Sequence, residues 1–286
     1  MLRDLTSILV DGARGAVRLR VEGRSSARGL IPGWLAIAAD FDIVGIEKGS
    51  TVVLIDAPPL VEVAPDLFQQ QHLFHPFDPS RTAIDLLEES IAEAARGQLD
   101  TELYDQPLLA KIKEFDRVLS AGYRDIELTG AATAPVVIRP ETVTTVDHLL
   151  SKTPQPQSVR VSGRLDLIRY SDRMFVLVLA DGQSIKGVAE GVAAEKLARL
   201  FGCQVTVTGT AVFRPAGRIL RLEADDLEAA GEDGTVWSRM PTPLFRSIEP
   251  AELRRPQGPR SGVNAIFGRW PGEESERAPD YDGRRL

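Results

Sequence analysis

Three groups of side chains in this 286-residue chain have types and spacings that could do chemistry. The first is a pair of arginine–aromatic clusters, Arg169, Tyr170 and Arg173 in RYSDR and Phe213, Arg214 and Arg218 in FRPAGR, with Lys186 between them in sequence. Guanidinium groups beside aromatic rings supply phosphate contacts and stacking platforms, the combination that a single-stranded nucleic acid needs. The second is HLFHPFD, where His72 and His75 stand three apart with Asp78 nearby. That spacing can put two imidazoles on one helical face. However, Pro76 follows at once, no cysteine is near, and His148 is the only other histidine, whereas a first-row metal site takes at least three ligands. The third group is Asp40, Asp42 and Asp56, carboxylates flanking a hairpin-like stretch. A cleft joining Asp40 and Asp56 to His75 would suit general acid–base work, although spacing alone does not make them converge.

Motifs for covalent catalysis are missing. The chain has no GxSxG elbow, and Cys203 lies in an apolar setting without a local histidine, where it reads as a small buried hydrophobe. The glycines of GARGAV and GRSSARG do not follow a strand and open a helix, as a phosphate-cradling loop would. The carboxylate pairs Glu88-Glu89 and Asp225-Asp226 read as solvating charge. The expectation is a non-enzymatic protein with no cofactor and no metal.

The elements that must position the arginines are legible. From Ser158 to Ala230 the chain reads SVRVSGRLDLIRY, MFVLVLA, QSIKGVAE, a helical AAEKLARLF, then QVTVTGTAVF and RILRLEA. Three strands, a helix and two strands resemble the OB-fold in element order. That resemblance is one of architecture, and it implies ligand contact through strands two and three and through the loops holding RYSDR and FRPAGR. Asp181-Gly182 marks a tight hairpin, and Gly209 and Gly217 fall where a curved strand and its turn need residues without a Cβ. MFVLVLA is apolar on both faces, so it is expected to be covered by the barrel core on one side and by a second domain or partner on the other. With only Phe175 and Lys186 on the expected binding strands, a protein contact suits this surface better than a nucleic acid.

The first half reads as a mixed α and β domain. AVRLRVEG alternates, with Val17, Leu19 and Val21 on one face of a half-buried strand. PGWLAIAAD is a short helix, and FDIVGIE and STVVLIDA form a hairpin ended by Pro58-Pro59. A helix opens at Asp78-Pro79, carries Ile84, Leu87, Ile91 and Ala94 on one stripe, and stops at Gly97. Another runs from Pro107 to Ala121, and both should cover the sheet to which the hairpin belongs. RDIELTG and APVVIRP add two strands, and PETVTTVDHLL a closing helix. The fold class expected is α+β: a mixed domain over 1–150, a linker at 151–158, an OB-like barrel over 159–230, and an irregular tail over 231–286.

Charge and composition narrow the partners. The net charge is −7, but Ser158–Ala230 carries +1 and the rest −8, so an anionic ligand belongs on the barrel. No apolar run approaches the roughly 20 residues of a membrane-spanning helix, and the start lacks an apolar core of signal-peptide length. One cysteine fits a reducing compartment, and a cytoplasmic protein without membrane partners is expected. Near the end, NAIFGRWPGEESE resembles the short Trp-Pro-Gly-acidic tails of assorted bacterial proteins, uncharacterised and antitoxin-like. Its Ile266, Phe267 and Trp270 form an aromatic hook that can fill a groove on a partner or on its own chain. The leading expectation is protein–protein binding through barrel and tail. Single-stranded nucleic-acid binding through Arg169, Tyr170, Arg173, Lys186, Arg214 and Arg218 is the alternative, and an enzyme with a site in the first domain the weaker one.

Overall fold

Strand-forming residues in the second half curl into a closed five-stranded barrel, seen in a computed structural model. The structure describes residues 2–26, 30–46, 52–65, 67, 78, 80–130, 134–169 and 173–243. The chain parts into two compact units, Met1–Ser247 and Ile248–Leu286. Every element below belongs to the first unit, and the second lies outside the described residues, as do His72, His75, Tyr170 and the hook residues Ile266, Phe267 and Trp270.

The barrel is built from β5 (Gln157–Arg169), β6 (Met174–Val178), β7 (Ser184–Val188), β8 (Gln204–Phe213) and β9 (Ile219–Ala229). It closes in the order β5-β6-β7-β9-β8, antiparallel throughout except for the parallel β7–β9 pair. That mixed, closed arrangement is compatible with the OB-like order expected. Strand β5 serves two neighbours, pairing β8 along its first half and β6 along its second, with a bulge between Leu165 and Leu167 where it bends. Gly209 permits a close approach of β8 to β9. A Cβ there would lie 2.1 Å from the Glu223 carbonyl oxygen, at an irregularity in the β8–β9 register. Inward residues Val161, Leu165, Phe175, Leu177, Val205, Val207, Leu222 and Leu227 fill the interior, and Leu197 from the following helix, residues Ala194–Leu200, seals one end. The Asp181-Gly182 turn closes β6 onto β7, with the Gln183 backbone N–H donating to Asp181 Oδ1 at 3.0 Å.

The first half is helical at its centre. Helix α1 (Leu2–Glu22) packs on α4 (Ala83–Ala95) and α5 (Gln106–Lys113), and α5 packs on α7 (Pro140–Lys152). Between them in sequence come α2 (Gly33–Ala38), α3 (Leu60–Val63) and α6 (Asp116–Ser120). Strands β1 (Asp42–Ile46) and β2 (Val53–Asp56) form one two-stranded sheet, and β3 (Ile126–Leu128) and β4 (Val136–Ile138) another. The protein is α+β, as expected, but its first-half core is helix on helix rather than helices over one shared sheet.

Four local expectations are corrected. AVRLRVEG is the end of α1 and not a strand. Its alternation misleads because Arg18 and Arg20 are as buried as Val17, Leu19 and Val21. Buried all round, the segment has no polar face to reveal a helical period. The helix expected from Asp78-Pro79 starts at Ala83. Thr82 caps it, accepting from the Asp85 backbone N–H at 3.2 Å while Asp85 accepts from the Thr82 N–H at 2.8 Å. The helix expected over Pro107–Ala121 breaks into α5 and α6 around Phe115. Cys203 is exposed, not buried, because the turn after Leu200 uses its backbone groups and leaves the thiol outside.

Candidate functional site

The loop between α4 and α5, residues 100–105, carries Asp100, Glu102 and Asp105 and lies along the barrel. Asp105 caps α5, accepting from the Leu108 backbone N–H at 3.2 Å, and also accepts from the Ser25 backbone N–H and hydroxyl. Its fourth partner is Arg221 on β9, 2.9 Å away, in a pair whose side chains are 0% and 5% exposed. Arg221 also reaches Glu223 at 2.8 Å. An ion pair this deep persists only where other hydrogen bonds satisfy the remaining lone pairs, and Ser25 and Leu108 do so here.

The acidic loop meets the arginines of FRPAGR as well. Arg214 donates to Asp100 at 2.7 Å and to Glu102 at 2.9 Å, and Arg218 donates to Asp100 at 2.6 Å. The Ala216 backbone N–H donates to the Leu99 carbonyl at 3.0 Å, so main chain joins main chain at the same point. These two guanidiniums hold the Asp100 carboxyl below its ordinary value, Arg214 contributing most. Lys186 on β7 reaches Glu102 at 2.5 Å. Arg169 donates to the Val21 carbonyl at the end of α1, also at 2.5 Å, and approaches the Met174 sulfur. Arg173, which turns the chain at φ 55°, donates to the carbonyls of Glu190 and Val192.

All five described cations of the expected binding surface therefore hold partners within this chain. Lys186, Arg214 and Arg218 converge on one acidic loop, while Arg169 ties the barrel to α1 and Arg173 braces the loop after β7. The second strand is buried on one face only, not on both as expected: Phe175, Leu177 and Leu179 face the core, whereas Met174, Val176 and Val178 on the outer side are half-buried. On that outer side Met174 meets the protein's own chain. The Met174 methyl lies against Gly23, just past the end of α1.

Where α1 and the acidic loop stand off the barrel, they leave a groove of about 710 Å³ over β6, β7 and β9. Its walls include Leu19, Leu167, Val176, Val188 and Leu220, with Arg20, Lys186, Glu89 and Glu102 among the charged members. Arg20 donates to Glu89 at 3.3 Å and to the Leu103 carbonyl at 3.2 Å, and its burial pulls the guanidinium pKa below the ordinary arginine value. Gly187 lies in the groove wall directly opposite Phe175. A Cβ at Gly187 would fall 2.2 Å from the Phe175 ring, so only glycine lets the ring turn into the core there.

The carboxylates of the hairpin converge only in part. Asp42 and Asp56 are direct cross-strand neighbours, and both are exposed. Among the described residues no cluster of three potential metal ligands occurs. No helix there is long and apolar enough to cross a membrane.

One surface escaped the sequence reading. Of fourteen exposed large hydrophobic side chains among the described residues, eight fall between Leu30 and Leu54. Ile43, Val44, Ile46, Val52 and Leu54 are on or beside the β1–β2 hairpin and range from 42% to 64% exposed. The hairpin is moored by Phe41 and Ile55, which pack on the helical core, and Val44 bulges out of register between Ile43 and Gly45. The signal was present in FDIVGIE and STVVLIDA, which are apolar at successive positions where a half-buried hairpin alternates. Compared with known proteins, the chain matches no family model, and no curated protein matches it either.

Proposed function

We propose that this chain is a non-enzymatic binding protein that recognises another protein, and that the β1–β2 hairpin is the surface it presents. The observation that carries the reading is the concentration of exposed aliphatic side chains on that hairpin. Contiguous apolar surface of this kind marks interaction sites on soluble proteins. An isolated two-stranded sheet also leaves both edges without strand neighbours and is marginal by itself, so added contacts stabilise it. The partner it suits offers an apolar surface or an open strand edge. The hook residues Ile266, Phe267 and Trp270 have the composition for a second contact of the same chemistry. The single exposed thiol, Cys203, suits a reducing compartment such as the cytoplasm.

The strand order favours reading the barrel as an OB-like module whose usual ligand face has been taken over by its own α1 and acidic loop. Single-stranded nucleic-acid binding draws less support, because Lys186, Arg214 and Arg218 already face Asp100 and Glu102. A phosphate would have to displace a carboxylate at each of them.

Photocrosslinking tests the proposal directly. A photoreactive phenylalanine analogue at Val44, expressed in the source cells, is expected to give a discrete protein adduct, while the same probe at Arg218 gives none. Adducts from Arg218 alone, or an adduct with nucleic acid, would overturn it.

A further inference from the structure

We infer that the groove between α1, the acidic loop and the barrel is a binding site for a compact, uncharged and largely apolar small molecule. Its volume of about 710 Å³ lies within the roughly 300–1,000 Å³ of small-molecule sites. Protein interiors seldom leave voids much larger than a water, so an apolar hollow of this size needs something that holds its walls apart. Ion pairs do that here. Lys186–Glu102 at 2.5 Å spans from β7 to the acidic loop, Arg221–Asp105 at 2.9 Å from β9 to the same loop, and Arg20–Glu89 at 3.3 Å fixes α1 to α4.

The graded exposure gives the hollow a floor and a mouth. Leu19, Val188 and Leu220 form a buried floor, 4–7% exposed, whereas Leu167 at 38% and the Lys186–Glu102 pair stand at the open rim. A guest would enter past Leu167 and rest on aliphatic side chains.

The charges define what the guest must be. Of the cations in its walls, Arg20, Lys186 and Arg221 each face a carboxylate, Glu89, Glu102 and Asp105 respectively, and Arg169 donates to the Val21 carbonyl. Placing an ionised group among them would break a pair or bury a charge that has none, and either is costly. The groove therefore selects against charged ligands and rewards burial of apolar surface. This site is separate from the hairpin and stands or falls independently of protein recognition there.

Two fluorescent probes that share one aromatic skeleton test the inference: uncharged N-phenyl-1-naphthylamine and its sulfonated analogue 8-anilino-1-naphthalenesulfonate. Titrated into the full chain, the uncharged probe is expected to bind saturably at one site, at least about tenfold tighter than the sulfonate. Val176→Trp, which fills the groove from β6, should weaken it by a similar factor. Leu167→Trp at the exposed mouth is the second variant, should the first not fold. A Val44→Lys/Ile46→Lys chain should bind the probe unchanged, which separates this site from the hairpin. Absence of saturable binding, equal or tighter binding of the sulfonate, full affinity in folded groove variants, or loss in the hairpin variant would each overturn the inference.

Discussion

Asp105 does three jobs with one carboxylate. It caps α5, fixes Ser25 beyond the end of α1, and neutralises Arg221 on the barrel. Removing it leaves a guanidinium 5% exposed without its main partner and a helix without its cap. Asp105→Ala should therefore cost about 3–5 kcal/mol in urea unfolding, the range for breaking a buried pair from one side. Arg221→Met should cost less, about 1–3 kcal/mol, because the carboxylate keeps its Ser25 and Leu108 donors. Equal losses in the two variants would mean that the cap and the Ser25 bonds contribute nothing. The pairing with Arg221 was not visible in sequence. Arg221 sits 116 positions from Asp105, and long-range pairing of charges leaves no local pattern.

The acidic loop and the hairpin are the elements that differ most from what periodicity suggested. DTELYD reads as a polar connection between two helices, yet its carboxylates take up the cations of FRPAGR. Asp100 gives that contact a pH signature. Its pKa in the folded protein is lowered, chiefly by Arg214, so the stability it contributes is present in full above the ordinary value of 3.8. That contribution is lost as pH falls through the lowered value. The difference in thermal midpoint between the wild-type chain and Asp100→Asn should stay constant from neutral pH down to about 4 and shrink below it. A constant difference throughout would show that the ion pairs do not act on stability. The barrel was legible because alternation, the Asp181-Gly182 turn and the lone helix are local signals. The last turns of helix α1 were not, because residues 16–21 are buried on every side and show no period. The hairpin was found by its strands, and its successive apolar residues were on view, but the same run also marks a strand buried on both faces, so its exposure depends on what fails to pack over it.

Taken whole, Met1–Ser247 is a barrel whose expected ligand face lies against its own helical layer, with an apolar hairpin left exposed. Arg169 to Val21, Arg24 to Glu190 at 2.6 Å and the acidic loop bind the layer to the barrel at several points. A protein built this way keeps these cations for internal cohesion, and the proposal is that it meets its partner through aliphatic surface. Quantitative affinity capture from lysate of the source cells, with nuclease added, compares the wild-type chain with Val44→Lys/Ile46→Lys. The two exposed substitutions should alter stability by no more than about 0.5 kcal/mol. The account predicts a protein retained by the wild type, lost with the variant and indifferent to nuclease. Equal retention by both chains, or retention that disappears with nuclease, would contradict it.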